Sequence, residues 1–227
     1  MITPRLEMIL RHIYGNSCAD IGTDHAYIPI ELSKCGMRVI ASDIMPGPLK
    51  IAAENVKKQK ANVELRLGGG LAPIEKDEVE TVIIAGMGGE MIEKILSEAS
   101  DKTQSPIFVL QPMNGQFELR KFLLNNGFKI IEEDLAVEGF KVYNLIVATK
   151  NGTKSAHALS YNKDIDFHLP PSLYENPCFS ALIAKKKREF SKIITGLKKS
   201  KEERCQEIEK LTRLLSEIEE TERKVKK

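Results

Sequence analysis

Cys18-Ala19-Asp20-Ile21-Gly22-Thr23-Asp24-His25-Ala26-Tyr27-Ile28-Pro29 is a short apolar strand that stops at an acid and turns through glycine into a helix. An Asp closing a buried strand, with Gly two residues on, lets the backbone pass close to a ligand while the next helix presents unpaired N–H groups. Phosphate cradles use Gly and Lys, whereas Asp20 and Asp24 would repel a pyrophosphate and suit a ligand bearing a sulfonium and an ammonium. That chemistry is S-adenosylmethionine rather than NAD or ATP. The G-x-G-x-x-G pattern is absent, because Asp24 stands where its second Gly would be. The plain alternative is an Asx-capped turn with no ligand.

Outward from this turn, strands and helices alternate. Arg38 to Ser42 reads as a buried strand closing on Asp43-Ile44, about twenty residues after the first turn. An acid there holds a ribose diol, since one carboxylate accepts from both hydroxyls. Val63 to Leu67 leads into Gly68-Gly69-Gly70, whose backbone can approach a flat ring closely. Thr81 to Ile84 runs into Ala85-Gly86-Met87-Gly88-Gly89-Glu90, a second Gly-rich strand-to-helix turn, and Pro106 to Leu110 ends at Gln111-Pro112-Met113. Lys129 to Val137 and Lys141 to Thr149 read as an antiparallel hairpin through Glu138-Gly139-Phe140. The expected fold is therefore α/β, a Rossmann-like, mostly parallel open sheet with one antiparallel strand. Its ligand site lies beyond the carboxyl ends of the strands, where Asp20, Asp43, Gly69, Gly86 and Gln111 all fall. Ahead of it Thr3-Pro4 opens an amphipathic helix, on which Arg5 is expected to face solvent.

The C-terminal quarter differs in composition. From Glu175 onward there are 15 Lys and Arg against 10 Asp and Glu, whereas the whole chain of 227 residues has a net charge of +2. Two helical apolar stripes, joined through the capping pattern Ser200-Lys201-Glu202-Glu203, predict a coiled-coil hairpin. The expected division is 1–155 for the ligand-binding domain, 156–174 for a Pro-rich tether or surface brace, and 175–227 for the basic hairpin. Such an appendage suits a polyanionic partner, and a solvated helical face is the plain alternative. No apolar run approaches the ~20 residues of a membrane span, no signal-peptide pattern opens the chain, and the four cysteines are scattered. The expectation is a cytoplasmic protein without metal or membrane, monomeric or a weak homodimer.

DIGTDHAYIP, SDI, GGGL, AGMGGE and QPM, in this order and spacing, resemble the class I methyltransferases that modify N1 of adenine 22 in bacterial tRNA. The resemblance implies S-adenosylmethionine as cofactor and tRNA as partner. It places Asp20, Gly22, Thr23, Asp24 and His25 at the methionine part, Asp43 at the ribose and Gly68, Gly69 and Gly70 at the adenine. Ala85, Gly86 and Met87 would form the floor between cofactor and target base. Asp24, Met87 and Gly88 make up the expected catalytic set. Tyr27 and Gln111 would meet the base, and Lys185, Lys186, Lys187 and Arg188, with Lys198, Lys199 and Lys201, the phosphates. Many relatives carry Asp or Asn at the position of Gly69, and its absence removes an acceptor for the adenine amine. Enzymes that methylate exocyclic amines use an (Asn/Asp)-Pro-Pro-aromatic loop where this chain has AGMGG. A ring nitrogen with an in-plane lone pair needs alignment more than a base. Two other readings stand beside this one: a methyltransferase for a small molecule or protein whose hairpin dimerises, and a non-catalytic cofactor-binding module.

Overall fold

The computed structural model describes residues 2–99, 102, 106–150, 158–199 and 204–225. Strands β1 (Ser17–Ile21), β2 (Arg38–Asp43), β3 (Val63–Leu67), β4 (Thr81–Met87), β5 (Ile107–Pro112), β6 (Lys129–Glu138) and β7 (Lys141–Thr149) form one sheet in the order β3-β2-β1-β4-β5-β7-β6. β7 is antiparallel to both of its neighbours, and the other strand pairs are parallel. Strand order reverses between β1 and β4, so their carboxyl ends flank the crevice expected for a ligand. Helices α2 (Tyr27–Lys34), α3 (Pro46–Gln59), α4 (Gly89–Glu98) and α5 (Gln116–Asn125) make the crossovers.

Each face of the sheet buries one apolar layer. One combines Ile40, Ile84, Leu110 and Ile146 with Ile92, Leu96, Leu119 and Leu123 of α4 and α5. On the other, Val39, Ile83, Val109 and Val147 meet Leu6, Met8 and Ile9 of α1 (Pro4–Leu10) and Ile28 and Leu32 of α2. β4 continues two residues past Ala85, through a register shift at which Gly86 takes φ +80°. A bulge at a left-handed glycine re-aims the strand end without stopping the pairing.

α1 precedes the first strand yet docks at the far edge of the sheet. Below it, His12 lies 2.9 Å from Asp134 and 3.2 Å from Glu132, both on β6, and Arg11 lies 3.1 Å from Asp134. Burial alone would lower the His12 pKa, but the Asp134 and Glu132 carboxylates outweigh it and raise the value above 6.5. A raised folded pKa stabilises the fold fully below 6.5, and that contribution is lost as pH rises through the folded value. His12→Ala should therefore cost about 1–2 kcal/mol at pH 6 and clearly less at pH 9, read by urea unfolding at both pH values. An equal loss at the two pH values would mean that the ring acts by packing alone.

Helices α6 (Phe179–Lys199) and α7 (Cys205–Val225) bury Leu182, Ile183, Phe190, Leu214 and Ile218 in a cluster with Leu135 and Val142 of β6 and β7. The Lys187–Glu222 pair at 2.9 Å ties one helix to the other. Ile165, Leu169 and Leu173 enter the same cluster, so residues 158–174 act as a packed brace, with two short 3-10 turns, more than as a tether. The capping pattern at residues 200–203, Lys201 among them, lies outside the described residues. Beside this cluster, Arg120 donates to Glu133 at 2.7 Å and to Asn144 at 3.1 Å, and both ends of the ion pair are essentially inaccessible. The pair fixes α5 to β6, and α5 follows directly on the rim turn after β5.

Candidate active site

The rim is built from five backbone turns, locked together in two groups. Gly22 and Thr23 donate their N–H groups to Ser42 O at 2.8 and 2.9 Å, and Gly68 N–H donates to Asp43 O at 2.9 Å. These bonds hold the turns after β1, β2 and β3 side by side. Met113 N–H donates to Met87 O and Gly89 N–H to Asn114 O, joining the turns after β4 and β5 in the same way. A Cβ at Gly89 would stand 2.6 Å from Gly115 O, so the last glycine of AGMGG is required by backbone approach. Gly22, at φ +77°, faces the Met87 side chain, whose Cε lies 2.2 Å from where a Cβ would be. Met87 thus packs against the Gly22 turn, and a Cβ at Gly88 would stand 2.9 Å from Asn114 Oδ1.

A cleft of about 300 Å³ opens above this frame, lined among others by Asp20, Gly22, Thr23, Asp24, Ala85 and Gly86. Asp20 is at its base, 7% exposed. Burial pushes its pKa up to about 6, against a hydrogen bond from Thr23 and the field of Arg5, which both lower it. Asp24 is exposed at the lip and sits 3.3 Å from His25 Nε2. The His25 ring stacks on Tyr27 at 5.3 Å between centroids, leaving Tyr27 56% exposed.

Arg5 faces this cleft, which overturns the expectation that it points to solvent. Its Nη1 donates to Gln111 Oε1 at 3.1 Å, its guanidinium lies 5.7 Å from the Tyr143 ring centroid, and it lines the cleft beside Asp20. Gln111 is wholly buried and also donates to Pro112 O at 3.2 Å. It therefore holds Arg5 in place instead of opening to the cleft itself. A second cleft of about 520 Å³ shares Arg5, Leu6 and Tyr27 with the first and continues over Met113, Glu138, Lys141 and Tyr143.

The residues present fit S-adenosylmethionine. Asp20, Asp24 and Asp43 stand at adjoining turns, and Arg5 is the one Lys or Arg lining the cleft among the described residues, a net negative seat for a sulfonium and an ammonium. Where an adenine ring would lie, Ile44, Met45 and Leu67 are 68%, 58% and 60% exposed, an apolar surface at the ends of β2 and β3 that a flat ring would cover. Ile44 Cδ1 stands 3.1 Å from the position of a Cβ at Gly69. A side chain at 69 would thus meet an apolar group in the same space.

A family model described as methyltransferase domain matches residues 2–146. The tRNA (adenine(22)-N1)-methyltransferase of Bacillus subtilis is 34% identical over 162 residues, 69% of this chain and 68% of that protein. This chain belongs to the tRNA (adenine(22)-N1)-methyltransferase family. A Streptococcus pneumoniae structure in complex with S-adenosyl-L-methionine is 31% identical with TM-score 0.80, covering 97% of this chain and 99% of that one. The B. subtilis m1A22 tRNA methyltransferase structure is 26% identical with TM-score 0.81, over 97% and 98% of the two chains. The likeness therefore extends through α6 and α7 and is not confined to the sheet.

The basic run of this methyltransferase is divided among different neighbours. Lys185 is half-buried and donates to Val142 O at 3.3 Å, Lys186 pairs with Glu189 at 3.0 Å and Lys187 with Glu222 at 2.9 Å. Arg188 is exposed. Lys185 and Lys186 nevertheless sit at the rim, lining a hollow of about 230 Å³ with Met113, Asn114 and Gln116 at the start of α5. His168 closes its floor, stacked on Phe117 at 4.3 Å, and burial pushes its pKa down to about 3, aided by Lys186 and Arg120.

Proposed function

We propose that this chain transfers the methyl group of S-adenosylmethionine to N1 of adenine 22 in tRNA. The observation that carries the reading is the buried Asp20 carboxylate beneath a cleft that Asp24 also lines, with Asp43 at the end of the adjoining strand β2, in a chain of this family. Asp20, Asp24 and the Gly22 turn would hold the methionine end, Asp43 the ribose, and Gly68 to Gly70 with Ile44 and Leu67 the adenine. When bound, the cofactor supplies a methyl group made electrophilic by its sulfonium. The chain's own residues supply placement. Arg5 and Tyr27, shared by both clefts, would fix the acceptor ring above the carboxylates with its N1 lone pair directed inward. Methylation leaves the ring cationic, and Asp24 at the lip is placed to stabilise that charge.

Incubation with unmodified tRNA and labelled cofactor, followed by digestion and mapping, should give 1-methyladenosine at position 22. Label confined to any other nucleoside would overturn the position assignment. For the phosphate contacts, Lys186→Ala and Arg188→Ala should leave S-adenosylmethionine affinity unchanged and lower the slope of log affinity for tRNA against log salt by about 1 each. An unchanged slope would remove α6 from the RNA-binding face.

A further inference from the structure

β6 and β7 outrun the rest of the sheet. β5 pairs with β7 from Ile107 opposite Thr149 to Leu110 opposite Ile146, whereas the β6–β7 ladder continues to Glu138 opposite Lys141. Residues 141–145 carry the hairpin roughly 17 Å past Leu110, at about 3.4 Å per residue. Because β6 runs parallel to β5, this overhang stands on the rim that holds the clefts. Both faces of the arm are braced, with Tyr143 packed among Leu6 and Met8 and Val142 packed in the α6 cluster, where Lys185 also bonds its carbonyl. At the tip, Gly139 turns at φ +58° and Phe140 is 102% exposed. Its flanking residues Glu138 and Lys141 line the 520 Å³ cleft that adjoins the donor site.

An isolated exposed apolar residue is ordinary, but a fully exposed Phe at the end of a braced arm beside a reaction cleft has a specific use. The carboxylate floor is buried, so a base still stacked in RNA cannot reach it and must be extruded. Extrusion leaves a gap, and nucleic-acid-binding proteins hold such gaps open with apolar wedges. Resting on the tRNA reading above, we propose that Phe140 is this wedge, entering the RNA stack where the target adenine leaves it and stacking on the neighbouring base. Glu138 stands directly opposite Lys141, so the tip carries balanced charge and its grip comes from stacking.

The test uses the full chain, tRNA carrying 2-aminopurine at position 22 for fluorescence, and unmodified tRNA for turnover. Phe140→Ala should lower kcat/KM on folded tRNA roughly 10-fold and suppress the fluorescence rise on binding, with Phe140→Trp restoring both. S-adenosylmethionine affinity, and turnover of a short single-stranded RNA holding the same adenine, should match the unsubstituted protein, and the loss on folded tRNA should not depend on salt. An Ala variant equal to the parent on folded tRNA, or equally impaired on both RNAs, overturns the wedge alone. A Phe140-dependent dimer with unchanged tRNA turnover overturns it in favour of a second copy. Failure of the unsubstituted protein to methylate adenine 22 overturns both the wedge and the reading beneath it.

Discussion

Asp43→Ala is expected to weaken S-adenosylmethionine binding by roughly 100- to 1000-fold in titration calorimetry. The carboxylate ends β2 at the rim, half-exposed, with the apolar Ile44, Met45 and Leu67 beside it. Two charge-assisted hydrogen bonds to a ribose diol, at about 1.5–3 kcal/mol each, set that scale. A local role must be separated from this one. Asp43 Oδ1 accepts from Met45 N–H at 2.7 Å, an Asx turn just ahead of α3 whose loss costs about 1 kcal/mol. Asp43→Asn keeps an acceptor for Met45 and should retain the melting temperature while losing about 10-fold in affinity. Parent-like affinity in the Ala variant would leave Asp43 as a turn residue only.

For Asp20→Asn the expected result is opposite in stability and in function. The folded pKa of about 6 lies above the ordinary 3.8, with burial as the main cause. Asp20 therefore stabilises the fold most at low pH, and that contribution is lost as pH rises from about 4 through 6. Above pH 7 the ionised group opposes folding by up to roughly 3 kcal/mol. Asn preserves the shape and removes the charge, so the melting temperature at pH 8 should rise by about 5–10 °C and change little at pH 4.5. Turnover should fall roughly 100-fold, because the seat for the cationic donor loses its innermost charge. In the parent, cofactor affinity should decline as pH falls through about 6, and in the variant it should not. A variant that is no more stable at pH 8, or that turns over normally, contradicts the assignment of Asp20 as a strained, ligand-facing acid.

The strand ends were legible because each marks an abrupt change from apolar run to Gly or acid, a change that any buried parallel strand must make at the rim. Asp20 and Asp43 could be placed on that rim from the same change. Arg5 could not. It lies in the first turn of a short surface helix, and its partner Gln111 is 106 residues away, so no periodicity links them. Gln111 was seen at the right strand end, but its complete burial behind Arg5 depends on α1 docking across the sheet. In the brace, Ile165, Leu169 and Leu173 repeat every four residues, yet Pro170 and Pro171 hide the pattern by breaking the helix that would display it. The basic run read as one electrostatic unit, whereas a helix turns successive lysines through about 100° each and delivers them to different neighbours. Glu189, three residues after Lys186, was the visible sign of that division.

Placing α1 against β6 also sets an order in time. Residues 4–10 are made well before the acids that anchor this helix, Glu132 and Asp134, which follow more than 120 residues later. At 5–20 residues per second that interval is on the order of 10 s. Throughout it, Leu6, Met8 and Ile9 have no hairpin to pack on, and Arg5 has no Gln111 to hold it. A nascent chain is therefore open to proteolysis around α1 until β6 and β7 have been made, and a truncated product ending before β6 would display an apolar helix and no completed cleft.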